Sequence, residues 1–308
     1  MTPKTLQSIA VLGPGGVGGF VAGALARAGT PVTLVAREET AALIQQQGLR
    51  VESRRLGDFT TRPAAVPALE DPVDVLLVAT KAGALSEALT RIKEQPRLVI
   101  PLLNGLDHME VLRERFDRVA AGTIRIEADR PAPGEIVQTS PFLRIDLASD
   151  GGRLRPELED LAGTLEQAEI PTQVLDSEAQ VLWGKLVRLN ALACTTSAYD
   201  LPLGPIRDTP ELRDDLENAV REAAAVAEAE GATVTTADVM AELLAAHAEL
   251  GSSMNRDIAA GRAPELDQIP GAVLRAARRH GLECPTVARL TLQVASRAGI
   301  EPPAAARA

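Results

Sequence analysis

Two rhythms of apolar and polar positions divide this chain. In its first part, continuous apolar runs recur at Ile9 to Leu12, Val32 to Ala36, Val73 to Ala79 and Leu98 to Leu102. Such runs mark strands buried on both faces of a parallel sheet. Between them lie helix-like segments, at Glu38 to Gln47, Ala84 to Lys93 and Asp107 to Arg115. Shorter strands are expected near Leu49 to Glu52, Phe59 to Thr61, Val119 to Arg125, Glu135 to Gln138, Phe142 to Leu147 and Thr172 to Leu175. A helix over Arg155 to Ala168 precedes the last of them. The alternation predicts an α/β domain with a mostly parallel, doubly wound sheet. From Asp176 the strand signals stop. Long Ala/Leu/Glu/Arg segments follow, at Glu178 to Ala193, Pro210 to Glu230, Thr236 to Leu250, Glu265 to His280 and Pro285 to Ala298. Gly231, Gly251, Gly261 and Gly281 serve as stop signals. The expected domains are therefore residues 1–175 and an all-helical 176–308, with a frayed tail over the last eight residues.

Composition narrows the function classes. The 308 residues are 45% hydrophobic and only 2% aromatic, so the cores must be built from aliphatic side chains. A net charge of -10 argues against a nucleic-acid surface and against binding to an anionic membrane. Met1 to Ser8 is polar, no secretory signal pattern opens the chain, and no apolar run is long enough to span a membrane. Cys194 and Cys284 lie far apart in apolar surroundings, as buried thiols of a reducing cytoplasm do. Nothing suggests a metal site. The apolar helices are compatible with a homodimer and equally with a monomer.

The most informative stretch runs from Ser8 to Gly29. A strand leads into Gly13-Pro14-Gly15-Gly16-Val17-Gly18, and an Ala-rich helix follows. In Gly-x-Gly-x-x-Gly the first glycine makes the turn and the second lets a pyrophosphate approach. The third seats the helix against its strand, and the helix N-terminus offers free N–H groups to phosphate. The second strand ends in Arg37, where a guanidinium suits a 2′-phosphate and hence NADP(H) over NAD(H). Glu38 and Glu39 follow and fit the first turn of the next helix. Lys81 and Asn104 lie just past later strands, at the edge where ligands bind in such sheets.

Two further clusters stand out, Trp183-Gly184-Lys185 and Ser252-Ser253-Met254-Asn255-Arg256-Asp257, the latter followed by Pro264-Glu265-Leu266-Asp267. Pro264 is suited to open a helix with Glu265 in its first turn. With the glycine loop, Arg37, Thr80-Lys81 and Leu103-Asn104-Gly105, they make the chain resemble the ketopantoate reductase (2-dehydropantoate 2-reductase) family over nearly its whole length. The resemblance implies a Rossmann domain and a helical domain like that of 6-phosphogluconate dehydrogenase, with the active site in the cleft between them. It also implies NADPH-dependent reduction of a 2-keto acid, 2-dehydropantoate to (R)-pantoate in pantothenate and coenzyme A biosynthesis. Lys185 would be the general acid and Glu265 would orient it. Ser253 and Asn104 would bind substrate, Asn104 would also touch cofactor, and Asp257 would support the site. Gly13, Gly15, Gly16, Val17, Gly18, Arg37 and Lys81 would hold the cofactor.

The chain departs from the family where substrate is held. Asparagines are usual four, eight and eighteen residues after the lysine; here those positions are Leu189, Ala193 and Leu203. Asn190 is the amide that remains on this helix and is carried as a substrate-binding candidate, although five residues place it about 140° round from Lys185. A more apolar keto or hydroxy acid, and a non-catalytic NADP-binding sensor, stay open as alternatives.

Overall fold

The computed structural model describes residues 8–307; the polar stretch Met1–Gln7 and Ala308 lie outside the described residues. The described residues form two compact units, one reaching to Val181 but without residues 104–107, the other made of residues 104–107 and those from Leu182 on.

In the first unit the order is β1 (Ile9–Leu12), α1 (Gly16–Arg27), β2 (Val32–Val35), α2 (Glu38–Gln47), β3 (Leu49–Ser53), β4 (Phe59–Thr61), β5 (Ala64–Val66), β6 (Val75–Val78), α3 (Leu85–Leu89) and β7 (Leu98–Pro101). Then come α4 (His108–Arg115), β8 (Ala121–Arg125), β9 (Ala128–Asp129), β10 (Glu135–Gln138), β11 (Arg144–Ala148), α5 (Arg155–Gln167) and β12 (Thr172–Leu175). The strands divide among three sheets instead of one. The largest has the order β5-β2-β1-β6-β7 and is parallel throughout. The chain leaves β1 in one direction through β2 and β5, then returns to its other side as β6. That reversal creates the crevice between the carboxyl ends of β1 and β6 where Rossmann sheets take their ligands. The other two sheets are mixed, β4-β3-β10-β9 and β12-β11-β8. The parallel partners β3 and β10 are far apart in sequence.

Helix α1 explains how two sheets share one core. Gly16, Gly19 and Gly23 fall at i, i+3 and i+7, one helical stripe. A Cβ at Gly16 would lie 2.2 Å from the Ala128 carbonyl oxygen, and one at Gly19 2.3 Å from Ile136 Cδ1. Side chains on this stripe would push β9 and β10 away. On another face Gly18 meets the β1 turn, so α1 is packed closely on both sides. Phe20, Val21 and Leu25 fill the remaining core, each fully buried.

Helix α6 (Glu178–Tyr199) contains the division between units, at Val181/Leu182. It continues to Tyr199, beyond the Ala193 expected from the apolar pattern. The second unit has α7 (Leu203–Asp208), α8 (Pro210–Ala229), α9 (Thr236–Ala245), α10 (Ser253–Ala259), α11 (Pro270–Arg279) and α12 (Pro285–Ala298). Helix α8 is central, touching α7, α9, α11 and α12. The Glu222 carboxylate on α8 accepts from the backbone N–H groups of Thr286 and Val287, both at 2.9 Å, and so caps α12. No strand occurs among the described residues of this unit.

Three local expectations are corrected. Helix α11 starts at Pro270, not Pro264: proline has no N–H to continue an earlier turn but a φ suited to opening a helix. Helix α9 ends at Ala245, short of Leu250. The tail is not frayed. A 3-10 turn at Ala304–Ala306 packs on α11 and α12, with Ala305 and Ala306 buried, and Arg278 donates to the carbonyls of Ala304 and Ala305 at 3.3 and 2.9 Å.

Candidate active site

The turn after β1 is shaped by contacts no side chain could tolerate. Gly13 has φ of +105°, and its N–H donates to the Val35 carbonyl at 3.1 Å. A Cβ at Gly13 would come within 2.9 Å of the Ala79 carbonyl oxygen, and one at Gly18 within 2.0 Å of the Gly13 oxygen. Gly15 differs: beyond its chain neighbours, the nearest atom to its would-be Cβ is the Ala79 carbonyl oxygen, 4.0 Å away. Nothing in the protein requires a glycine there, which fits a position kept bare for a ligand. Gly15 caps α1 with no side-chain hydrogen bond, and the first turn carries no acid. The N–H groups of Gly16, Val17 and Gly18 thus begin a helix with no side chain competing for them. These features fit the diphosphate of a dinucleotide.

Arg37 follows β2 as the N-cap residue of α2, with Glu38 and Glu39 in its first turn. Its side chain is 73% exposed and pairs with Glu87 at 3.5 Å. Lys81 follows β6, exposed at the head of a 3-10 turn over Ala82–Ala84.

The second constellation lies in the helical unit, to which Asn104 belongs. The Lys185 ammonium on α6 donates to Asn104 Oδ1 at 2.8 Å, and Asn104 Nδ2 donates to Glu265 Oε2 at 2.9 Å. The partners fix the amide's orientation, because an ammonium cannot accept and a carboxylate cannot donate. All three are half-buried. A proton donor is thereby tied through one amide to a carboxylate, an arrangement able to hold a charged acid in a defined direction.

The segment carrying Asn104 is seated against the one carrying Glu265. Gly105 has φ of +85°, and a Cβ there would lie 2.2 Å from the Gln268 carbonyl oxygen. Arg275 on α11 donates to Asp107 at 2.5 Å and to the side chain and carbonyl of Asp267 at 2.6 and 2.8 Å. Partial burial works against the charge on Arg275, but hydrogen bonding to Asp267 and the charge of Asp107 hold its pKa above the ordinary value. Sequence reading missed this clamp; its only signal was the arginine's position five residues after Pro270.

Other candidates lie apart from this chain of bonds. Asn190 is fully buried, its Oδ1 accepting from Cys194 Sγ at 3.6 Å and its Nδ2 without a partner. Ser253 is exposed at the start of α10. Its neighbour Ser252 is the buried one; it caps α10 through Asn255 N–H at 3.1 Å and accepts from Thr196 at 2.8 Å. Asp257 is 5% exposed and bonds Arg262 at 2.8 Å. Ala193 and Leu203 are fully buried, whereas Leu189 is half-buried. Trp183 is 2% exposed. Both cysteines are free and buried, and burial pushes their thiols up to about 12. Among the described residues, no group of three His, Cys, Asp or Glu could hold a metal, and no helix is long and apolar enough to cross a membrane.

Comparison with known proteins places the chain in a family. Residues 9–149 match the family model "Ketopantoate reductase PanE/ApbA" and residues 179–298 match its C-terminal counterpart. This chain belongs to the ketopantoate reductase family. It is 31% identical over 294 residues to the 2-dehydropantoate 2-reductase of Caulobacter vibrioides, covering 91% of this chain and 95% of that one. The crystal structure of 2-dehydropantoate 2-reductase from Geobacter metallireducens superposes with a TM-score of 0.86 at 28% identity, covering 94% and 99% of the two chains. D-mandelate dehydrogenase, solved with NADH and anilino(oxo)acetate, shares the fold at 22% identity, with a TM-score of 0.84 over 95% and 98%. Family membership establishes an oxidoreductase with a Rossmann-like domain and a helical C-terminal domain, of the kind that reduces keto acids.

Proposed function

We propose that this protein is a cytoplasmic NADPH-dependent reductase of 2-keto acids, with 2-dehydropantoate as leading substrate and (R)-pantoate, on the route to pantothenate and coenzyme A, as product. The observation carrying the proposal is the bonded chain Lys185–Asn104–Glu265. Bound NADPH supplies hydride to the ketone carbon. Lys185 gives a proton to the ketone oxygen as the carbinol forms, which requires its ammonium within about 3 Å of that oxygen. Glu265, acting through Asn104, keeps the ammonium directed and compensates its charge in a half-buried site. Asn104, Ser253 and Asn190 are the polar candidates for substrate. Gly13, Gly15, Gly16, Val17 and Gly18 receive the pyrophosphate, and Arg37 with Lys81 receives the 2′-phosphate.

Leu189 favours a second reading. Four residues past Lys185 it lies about 40° round the same helix face, half-buried and apolar where the family usually has an asparagine. A pocket with one amide fewer rejects hydrophobic analogues less strongly, so a bulkier, more apolar keto acid is the runner-up. The deciding experiment follows NADPH oxidation with 2-dehydropantoate beside a panel of bulkier 2-keto acids. Turnover on 2-dehydropantoate is expected to be fastest, and a bulkier winner would establish the second reading. NADPH binding without turnover on any keto acid would overturn both.

A further inference from the structure

Arg37 shares its partner. One oxygen of the Glu87 carboxylate, in the first turn of α3, lies 3.5 Å from Arg37 Nη2; the other lies 3.9 Å from Arg91 Nη2. The two arginines are not equivalent. Arg37 is 73% exposed, whereas Arg91 is 27% exposed and anchored by donating to the Pro67 carbonyl at 3.1 Å. Glu87 therefore sits between a freely solvated guanidinium and a fixed one.

We propose that Glu87 sets the balance between NADPH and NADH. The inference rests on the reading of Arg37 as the 2′-phosphate ligand. A phosphate dianion arriving at Arg37 must displace Glu87 or tolerate a like charge next to it, while a ribose 2′-hydroxyl meets no such opposition. Arg91 acts in the opposite sense, as the second partner to which the carboxylate can turn when phosphate takes Arg37. Glu38 and Glu39 on α2 add a constant acidic background. The device weakens the preference for NADPH without abolishing it, and leaves room for NADH.

The test is equilibrium titration of the full-length protein with NADPH and with NADH, reporting the ratio of dissociation constants, Kd(NADH)/Kd(NADPH). Glu87→Gln is expected to raise this ratio about twofold to fivefold, the range exposed ion pairs support. Arg91→Met is expected to lower it about twofold. Both shifts should shrink with added salt, because the groups are solvated. Arg37→Gln separates the two layers of the argument. If it collapses the ratio while Glu87→Gln leaves it unchanged, the role of Glu87 is overturned and the phosphate reading stands. If Arg37→Gln changes nothing, the phosphate reading fails and takes this inference with it. Shifts in the same direction for Glu87→Gln and Arg91→Met would also overturn the shared-carboxylate role.

Discussion

The glycine turn after β1 and the Lys185–Asn104–Glu265 chain hold their groups by different means. In the turn, position is imposed by backbone contacts so close that only the absence of side chains permits them. The contributing residues come from one short segment and from the adjacent ends of β2 and β6. In the helical unit, position comes from side-chain hydrogen bonds between residues 81 and 161 apart in sequence. The first design is rigid and indifferent to chemistry. The second depends on each group keeping its identity, and it is supported from behind by the Arg275 clamp and the contact of Gly105 with Gln268. Phosphate recognition, the role proposed for the turn, needs a fixed shape, whereas proton delivery, the role proposed for Lys185, needs a particular charge held in a particular direction.

The contrast can be broken most severely at Lys185. Lys185→Ala should lower kcat by about 10³-fold, within the range for a positioned general acid, while the thermal midpoint and NADPH affinity stay near wild type. A kcat within threefold of wild type would remove the lysine from the chemistry. In the turn, two glycine substitutions should separate cleanly. Gly18→Ala forces a Cβ against the Gly13 oxygen and is expected to cost about 3 kcal/mol, the upper end for overpacking, seen as a lower urea midpoint. Gly15→Ala meets nothing closer than an ordinary contact with the Ala79 carbonyl oxygen and has a φ of -76° that alanine accepts, so stability should hold while dinucleotide affinity falls. Equal loss of stability in both variants would refute the claim that Gly15 is bare for a ligand.

Asn104→Ala sharpens the other side. It cuts the bonded chain without removing a charge, and kcat should fall about 10- to 100-fold, the equivalent of one or two strong hydrogen bonds. Unchanged kcat would show that Lys185 is directed by something else. Smaller still is the cap on α12: Glu222→Ala leaves two N–H groups without their carboxylate and should cost about 1–2 kcal/mol in denaturant unfolding, with catalytic constants unmoved.

The smallest effect is a pH dependence at Glu230. Burial alone would raise its pKa, but hydrogen bonds from His280 and Arg279 outweigh that and hold it below the usual carboxylate value. A carboxylate depressed in the folded state adds stability above its unfolded pKa, and that stability is lost as pH falls through the folded value. Glu230→Gln should therefore lower stability by under about 1 kcal/mol near neutral pH and by nothing in strong acid. A deficit that persisted unchanged in acid would mean the pair contributes through packing instead of charge.

How far the sequence revealed each region follows from the same contrast. The glycine turn is a local pattern, so Gly13, Gly15 and Gly18 were readable from spacing, and α2 and β10 lie where their apolar rhythm placed them. The stripe of Gly16, Gly19 and Gly23 was also present, but what it packs against is non-local and could not be read. The same holds for the three sheets: β9 has two residues, too few for any rhythm, and β3 finds its parallel partner in β10 across the length of the unit. In the helical unit, Asn104 stood out by its place past a strand and Lys185 and Glu265 by the clusters that hold them, but their joint role came only from resemblance, because no periodicity links residues so far apart. The start of α11 was misread since two prolines, Pro264 and Pro270, both suit a first helical turn; only the second is used. The alanine-rich tail carries too little apolar signal to show that Arg278 and the faces of α11 and α12 would hold it.

Trp183 has an optical consequence. It is the sole tryptophan of the chain, buried two residues before Lys185, and the sole tyrosine, Tyr199, ends the same helix. Nearly all intrinsic emission therefore originates from α6, on the helical side of the Val181/Leu182 division. Fluorescence melts follow the surroundings of α6, while circular dichroism averages over both units. A gap between the two curves would measure how independently the halves of the enzyme unfold, with no label attached.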